Sequence, residues 1–229
     1  MQITWLGHGS FELRLDSGET ILVDPWFDNP KFPSGYVPDR CDFLLITHGH
    51  FDHIGSVLPL AQKFSPTVIS NFEIVSWLGS KGIEKGIGMN IGGTVQSGPL
   101  RVTMTNAIHS STIEDEGKVL PGGNAAGFIF HLTDGRSIYF SGDTAVHSDM
   151  GLLKRLYQPD LAFFPIGDLF TMDPAQAALA TELTGVRTVI PMHYATFDAL
   201  TGTPSQLQKL VEPLGVKVQE LKPGEPWTY

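Results

Sequence analysis

Four side chains that could bind a metal ion lie within six residues of one another in the first quarter of the chain. They are His48, His50, Asp52 and His53, and they follow the apolar run at residues 43–46. Imidazole and carboxylate groups together suit Zn²⁺, and they also suit Mn²⁺ or Fe²⁺. The single-residue spacers let a turn direct His48 and His50 one way and Asp52 and His53 another way. The segment therefore predicts a centre that serves two adjacent metal ions.

A histidine-rich surface loop without any ligand is the alternative interpretation of this segment. For a single histidine, hydrogen bonds to backbone carbonyl groups would explain the residue adequately. Here three imidazoles and an acid stand together at the end of an apolar strand, and each polar group that is buried needs a polar partner. The grouping therefore favours metal binding.

The elements that must position these side chains alternate between strands and helices. Apolar periodicity and Gly/Pro turns predict short strands at 3–6, 11–15, 20–24, 43–47, 68–70, 101–108, 126–132, 137–141, 161–166 and 188–191, and helices at 55–64, 73–85, 148–156, 174–184 and 205–214. No linker, low-complexity stretch or repeat separates the two β-rich halves. We therefore expect a layered α/β sandwich that forms one domain over residues 1–229.

The composition narrows the range of functions and locations. The 15 Lys and Arg residues are scattered and are outnumbered by 24 Asp and Glu residues, so the net charge of −9 disfavours a nucleic-acid partner. The first residues lack the basic segment of a signal peptide, and no run of 18 apolar residues predicts a membrane span. Cys41 is the only cysteine, which excludes an intrachain disulfide. We expect a cytoplasmic protein.

The spacing of the four ligands resembles the signature of the metallo-β-lactamase superfamily, in which a His-x-His-x-Asp-His motif follows a β-strand. Three later residues stand where that superfamily supplies its remaining ligands, each after a predicted strand: His109, Asp143 and His193. The resemblance covers essentially the whole chain. It implies the α/β fold of the superfamily, a metallo-β-lactamase-like four-layer αββα sandwich.

Three further segments resemble one smaller branch of the superfamily. They are residues 5–11 (WLGHGSF), 165–172 (PIGDLFTM) and 193–197 (HYATF). They are similar to the uncharacterised bacterial metal-dependent hydrolases related to L-ascorbate-6-phosphate lactonase and to N-acylphosphatidylethanolamine-hydrolysing phospholipase D. The branch pattern commonly has glycine where this chain has Asp173 and Ala195.

The resemblance also implies how the ligands divide between two divalent ions per chain, with zinc favoured and manganese or iron as alternatives. The first ion would take His48, His50 and His109, the second would take Asp52, His53 and His193, and Asp143 would bridge them. With a bridging hydroxide and the two ligand carboxylates, such a pair keeps about one positive charge. That charge suits an anionic substrate and a developing oxyanion.

Two residues are candidates for proton transfer in the reaction. The second carboxylate oxygen of Asp52 could face the hydroxide, and the Gly-flanked turn that carries His8 is expected to reach the pocket rim. The alternative for His8 is a histidine at the edge of the core.

Asp24, Tyr194 and Thr196 are candidates for a supporting role. Asp24 ends a predicted strand, where it either begins a turn or orients a ligand imidazole, and the sequence leaves both open. Tyr194 and Thr196 follow a ligand and are expected to line the substrate pocket. His131 and Cys41 are interpreted as structural, and the role of His147 stays open.

The segment Ser110–Asn124 is the one long polar stretch of the chain and contains three glycines. A loop of this length without secondary structure is usually functional or mobile. Because it follows the expected ligand His109, we predict a mobile loop that borders the pocket and could act as a lid.

Together these features predict a metal-dependent hydrolase that uses a dinuclear centre and a bridging hydroxide to cleave a small anionic ester, phosphoester or lactone. An iron-dependent redox enzyme on the same fold, similar to sulfur dioxygenases, is one alternative. A non-enzymatic metal-binding protein is the other. The expected partner is a small-molecule anionic substrate, and a homo-oligomer is compatible with the sequence.

Overall fold

A computed structural model describes residues 1–229, and the chain forms two compact units. Unit 1 comprises Met1–Asn90, Ser110–Asn124 and Leu221–Tyr229, and unit 2 comprises Ile91–His109 and Ala125–Glu220. The strands are β1 (Gln2–Trp5), β2 (Phe11–Arg14), β3 (Thr20–Val23), β4 (Phe43–Leu45), β5 (Thr67–Asn71), β6 (Gly86–Met89), β7 (Thr94–Ser97), β8 (Leu100–Asn106), β9 (Thr112–Asp115), β10 (Lys118–Pro121), β11 (Ala126–His131), β12 (Ser137–Phe140), β13 (Leu161–Pro165), β14 (Thr188–Met192), β15 (Lys217–Val218) and β16 (Pro226–Thr228). The α-helices are α1 (Phe51–Ile54), α2 (Val57–Phe64), α3 (Phe72–Ser80), α4 (Met150–Tyr157), α5 (Pro174–Thr184) and α6 (Pro204–Val211).

Unit 1 contains a seven-stranded sheet in the order β16-β1-β2-β3-β4-β5-β6. Strands β3 to β6 are parallel, whereas β1 and β2 are antiparallel to their neighbours, so that β1 runs in the same direction as β3. The carboxyl ends of β1, β3, β4 and β5 therefore lie at one edge of this sheet, which we call edge 1.

The core of unit 1 joins this sheet to its helices. Leu22, Leu44 and Val68 on neighbouring strands pack in one cluster with Val57 of α2 and Ile74 of α3. Burial of such side chains is the main term that holds the helices on the sheet, at about 25 cal/mol per Å² of apolar surface. Helix α3 begins where the Asn71 side chain accepts a hydrogen bond from the Ile74 backbone N–H at 2.9 Å.

The segment Ser110–Asn124 is a β-hairpin, so the prediction of a long loop is wrong. Strands β9 and β10 pair antiparallel around a two-residue turn, Glu116-Gly117, in which both residues have positive φ. Ile113 is fully buried in the core cluster of unit 1 and anchors the hairpin. The polar composition of the segment did not indicate a hairpin, because a hairpin that packs on the core through one face needs few apolar residues.

Unit 2 contains a second seven-stranded sheet in the order β15-β14-β13-β12-β11-β8-β7. Strands β12, β13 and β14 are parallel, and two antiparallel pairings through β11 give β8 the same direction as β12. The carboxyl ends of β8, β12, β13 and β14 therefore lie at one edge of this sheet, which we call edge 2.

The two long C-terminal helices begin at strong capping sequences. Asp173 accepts a hydrogen bond from the backbone N–H of Gln176 at the start of α5, and α6 begins with a capping box between Thr203 and Gln206. Proline occupies the first turn of both helices. The predicted helix at 174–184 is confirmed, and the helix predicted at 205–214 is shorter, Pro204–Val211. None of the helices has both the length and the apolar character needed to span a membrane.

Candidate metal centre

Edge 1 carries all six of the predicted site residues that belong to unit 1. His8 follows β1, Asp24 follows β3, and the ligand motif follows β4, with its last two members in the single turn of α1. Because the carboxyl ends of these strands share an edge, residues that are distant in the sequence come together. The edge brings His8 to Asp52 and Asp24 to His53.

Asp24 contacts the His53 ring, as the interpretation of Asp24 as a residue that orients a ligand imidazole predicts. The carboxylate is fully buried, and its Oδ2 lies 2.8 Å from His53 Nδ1. Its oxygens also accept hydrogen bonds from the Thr47 backbone N–H at 2.8 Å and from the Thr47 hydroxyl at 2.6 Å. Burial raises the pKa of Asp24, and the His53 and Thr47 contacts oppose that shift. With Nδ1 donating to the carboxylate, the lone pair of His53 is on Nε2, the nitrogen that a metal ion would bind.

His48 and His50 point two ring nitrogens at each other. His48 Nε2 lies 3.0 Å from His50 Nδ1. Two nitrogens that each bind one ion at about 2.0–2.1 Å are roughly 3.0–3.4 Å apart, so this separation fits a shared ion. The outer nitrogens face hydroxyl groups, with His48 Nδ1 at 3.0 Å from Thr47 Oγ1 and His50 Nε2 at 3.2 Å from Ser110 Oγ.

Asp52 connects the second half of the motif to His8. One carboxylate oxygen, Oδ2, lies 2.9 Å from His8 Nε2 and 3.9 Å from His53 Nε2. His8 is fully buried and presents its ring edge-on to Trp26, with ring centroids 5.2 Å apart. We expected the turn that carries His8 to reach the pocket rim, whereas the ring has no exposed surface and contacts the Asp52 carboxylate.

Edge 2 carries the three later ligand candidates, all in unit 2. His109 follows β8, Asp143 follows β12, and His193 directly follows β14. Asp143 Oδ2 lies 3.1 Å from His193 Nε2 and 3.7 Å from His109 Nε2. One carboxylate oxygen thus lies close to two imidazole nitrogens, which is the arrangement expected of a bridging ligand.

Backbone strain concentrates at these two edges. Six of the nine non-glycine residues with positive φ lie there: His8, Asp24, Asp168, Leu169, His193 and Ala195. Such conformations cost about 1–3 kcal/mol each and cluster at functional sites, where the surrounding structure holds them.

The donor sets of both edges fit a divalent metal ion. In unit 1, ligand atoms of Asp24, His48 and His53 lie within 4.8 Å of one another, and in unit 2 a buried carboxylate stands next to two imidazoles. Nitrogen and oxygen donors of this kind suit Zn²⁺, Mn²⁺ and Fe²⁺ alike.

The remaining candidates are mostly buried. Thr196 donates a hydrogen bond from its hydroxyl to the Tyr194 backbone carbonyl at 3.3 Å, and burial raises the pKa of the buried Tyr194 phenol. His131 lies 2.8 Å from Thr103 Oγ1. Cys41 is buried, and burial raises its thiol pKa to about 12, so the thiol stays protonated. His147 is also buried, which lowers the pKa of its ring.

Sequence reasoning missed Thr47 and Ser110, the residues that hold the outer nitrogens of His48 and His50. Thr47 directly precedes the motif, so its position was a usable signal. The contact of Ser110 with His50 spans 60 residues of sequence, and no local pattern indicates it.

Comparison with known proteins finds relatives that all belong to one superfamily and that match almost the whole chain. A profile of the beta-lactamase superfamily domain matches residues 19–194. A UPF0173 metal-dependent hydrolase of Solibacter usitatus is 54% identical over 227 residues, with 99% of each chain covered. A second protein of that name, from Roseiflexus sp. (strain RS-1), is 45% identical and covers 97% of this chain and 95% of its own.

A solved structure has the same fold over the whole chain. It is Igni18, described as a metallo hydrolase from the archaeon Ignicoccus hospitalis, with a TM-score of 0.88, 35% identity and coverage of 100% of this chain and 98% of its own. These relatives confirm the predicted fold class and the predicted superfamily. The chain belongs to the metallo-β-lactamase superfamily, in its branch of UPF0173 metal-dependent hydrolases.

Proposed function

We propose that the chain is a hydrolase with a dinuclear metal centre, one ion held by His48, His50 and His109 and the other by Asp52, His53 and His193, with Asp143 as the bridge. The observation that supports this best is the Asp143 oxygen at 3.1 and 3.7 Å from two imidazole nitrogens. The 3.0 Å pairing of His48 with His50 supports a shared ion on the unit 1 side. Zinc is the ion we favour, with manganese or iron as alternatives.

When bound, such an ion pair supplies a hydroxide at neutral pH, because it lowers the pKa of bound water to about 7, and it polarises the bond to be cleaved. Asp52 holds the proton-accepting position, since one of its oxygens is fixed by His8 at 2.9 Å. As carboxylate oxygens only accept, His8 donates Nε2–H to Asp52 and holds it in one orientation. Asp24 in turn accepts a hydrogen bond from His53 Nδ1 and holds the His53 ring in one orientation.

The substrate class we propose is a small anionic ester, phosphoester or lactone. The proposed enzyme acts as a single domain over residues 1–229 and needs only a small-molecule partner. A largely buried ligand set and two hydrogen-bonded carboxylates, Asp24 and Asp52, suit hydrolysis, because they fix the site before substrate arrives.

A substrate panel with a chelator control tests this proposal. Metal-loaded protein should hydrolyse at least one phosphodiester, phosphomonoester, carboxylic ester or lactone, and the chelator should abolish turnover. Asp52→Ala should lower kcat/KM by at least about 100-fold, as expected for loss of a group that moves the proton. His8→Ala should lower it by roughly 10- to 100-fold with both metals retained, because His8 acts through Asp52.

His131→Ala is the matched control, since this histidine bonds Thr103 away from the ligands and should leave turnover unchanged. If the metal-loaded protein hydrolyses nothing in the panel but consumes oxygen with a thiol or persulfide, the redox alternative is correct instead.

A further inference from the structure

The loop after β13 exposes two large apolar residues side by side. Leu169 is 64% exposed and Phe170 is 53% exposed, whereas Met172, two residues later, is fully buried and anchors the loop in unit 2. Exposed apolar residues are ordinary when single, but an adjacent pair on a short loop has an unfavourable hydration cost that a ligand would remove.

The loop holds this pair rigidly in a strained conformation. Asp168 and Leu169 have φ values of 70° and 48°, which non-glycine residues rarely adopt. The Asp168 side chain accepts a hydrogen bond from the Leu169 N–H at 2.8 Å, and the Asp168 N–H donates to the Met172 carbonyl at 3.0 Å. Strain that is held in this way indicates a loop whose shape serves a purpose.

The pair stands between two metal-ligand candidates at edge 2. Strand β13 lies between β12 and β14, about 4.8 Å from each, so the loop leaves the sheet between Asp143 and His193. At its start, a Cβ atom on Gly167 would collide with the His193 carbonyl oxygen, so the loop and the ligand backbone are in direct contact. Ligands of α/β proteins bind outside the carboxyl ends of such strands.

Other ligand segments repeat the same feature independently. Ile108 directly precedes His109 and is 54% exposed, and Phe51 stands between His50 and Asp52 and is 55% exposed. Exposed apolar side chains therefore accompany the ligands in unit 1 and in unit 2.

Basic side chains are absent from the segments that carry the site. Residues 6–10, 24–29, 46–53, 106–110, 141–149, 166–173 and 193–199 contain no lysine or arginine. Sites for phosphate groups or carboxylates usually supply arginine or lysine as a hydrogen-bonding cation. These segments offer apolar contact where a phosphate site would offer a guanidinium or ammonium group.

We propose that the substrate is an ester or lactone that carries an apolar chain or ring, and that Leu169 and Phe170 contact this apolar group. The inference rests on the proposed hydrolase function. It narrows the substrate class from anionic esters, phosphoesters and lactones to carboxylic esters and lactones that carry an apolar group. Hydrolysis adds water across the acyl C–O bond, so the acyl carbon gains the hydroxyl oxygen, the leaving oxygen gains a proton, and one acid and one alcohol group form.

A chain-length series tests the proposal with the metal-loaded protein. The substrates are 4-nitrophenyl esters from acetate to octanoate, with 4-nitrophenyl phosphate as the charged comparison. Contact with the growing chain should raise kcat/KM by roughly twofold per methylene for a partly covered chain, or about 60-fold over the six methylenes from acetate to octanoate. The phosphate ester should be the poorer substrate.

Substitutions at Leu169 and Phe170 test whether these residues cause the chain-length dependence of kcat/KM. Leu169→Asn keeps a residue that tolerates positive φ while removing the apolar side chain, and Phe170→Ser removes the ring. The double variant should lose most of the chain-length dependence, so that its kcat/KM for the octanoate ester falls toward its kcat/KM for the acetate ester. Leu179→Ala, at a 47% exposed leucine of α5, is the matched control and should behave as the parent protein does.

Binding of octanoate and acetate, measured by calorimetry, gives a readout that does not depend on turnover. Octanoate should bind the parent protein at least about 10-fold more tightly than acetate, and the double variant should lose that difference. A flat chain-length series, or one that the double variant leaves intact, overturns the inference while hydrolysis itself stands.

Absence of chelator-sensitive turnover on every substrate overturns the proposed function and this inference together. Sedimentation of the same proteins tests whether a second copy of the chain covers Leu169 and Phe170 instead of a substrate. If the double variant converts a dimer to a monomer without changing the chain-length series, a second copy of the chain covers Leu169 and Phe170, and the inference is wrong.

Discussion

Asp24 shows how one buried carboxylate can orient a proposed metal ligand, His53, that it precedes by 29 residues. It bonds His53 on one side and both the backbone and the hydroxyl of Thr47 on the other. These contacts fix the orientation and the tautomer of the His53 ring. A metal-ligating histidine held by such a partner typically binds its ion 10- to 100-fold more tightly than one without it.

Replacement of Asp24 by asparagine tests this role directly. Asparagine tolerates the φ of 46° at this position, so the backbone should survive, but the negative charge is lost. We expect Asp24→Asn to weaken metal binding by roughly 10- to 100-fold in competition titrations with a chromogenic chelator. Asp28→Asn, at an exposed acid on the next turn, is the control. Equal affinity in the two variants would show that Asp24 only shapes its turn.

His147 makes a prediction about pH and stability. Burial lowers its pKa in the folded state, and the nearby Asp149 carboxylate opposes this shift without reversing it. The unfolded chain, with a histidine pKa of about 6.5, therefore binds the proton more readily than the folded chain does. The stability contributed by the neutral ring is present above pH 6.5 and is lost as the pH falls below it.

Urea unfolding at pH 8 and pH 5 measures this effect in the parent protein and in His147→Gln. The parent should lose more unfolding free energy between the two pH values, because only it gains a proton at residue 147 on unfolding. The ligand histidines contribute equally to both proteins and cancel in the comparison. An equal loss in the two proteins would mean that the folded state accepts the proton at His147 without cost.

At the scale of elements, the hairpin β9–β10 is the clearest case in which tertiary contacts decide the local structure. Ser111 Oγ accepts a hydrogen bond from the Gly49 N–H at 3.1 Å and donates one to the Gly122 carbonyl at 2.8 Å. The base of the hairpin is thereby tied to the ligand motif. Its contacts with Gly49 and the buried side chain of Ile113 anchor the hairpin beside the ligand motif.

Truncation of Ile113 should therefore destabilise unit 1 as truncation of a core residue does. We expect Ile113→Ala to cost about 2–5 kcal/mol of unfolding free energy, since the side chain is fully buried. Val119→Ala on the same hairpin should cost less than about 0.5 kcal/mol, because its side chain is 69% exposed. Urea midpoints measure both. Similar small costs would mean that the hairpin contributes little to the core.

The sequence predicted a secondary-structure element best where a local residue pattern alone determines it. Helix α5 was predictable because proline in its first turn and Gly185 after its end mark both limits. Strand β6 was not, because its sequence, Gly-Ile-Gly-Met, has low strand propensity and forms a strand only by pairing with β5. The proposed metal ligands were likewise predictable from their spacing in the sequence. The burial of His8 was not predictable, because it depends on a contact with a residue 44 positions away.

At the scale of the whole molecule, each unit presents its proposed ligands at the carboxyl edge of its own sheet. Unit 1 supplies the clustered motif and its supporting residues, and unit 2 supplies three proposed ligands that are widely spaced in the sequence. A chain with a net charge of −9 thus carries two donor sets whose chemistry calls for divalent cations. The proposed function requires both sets.

Metal content per chain measures whether both donor sets bind ions. Protein loaded with zinc and freed of excess should hold two ions per chain by elemental analysis, His48→Ala in unit 1 should hold close to one, and Asp143→Ala in unit 2 should weaken both. His131→Ala, which removes a histidine bonded to Thr103, should keep two. Two ions that persist in Asp143→Ala, or a parent protein that binds none, would contradict the account.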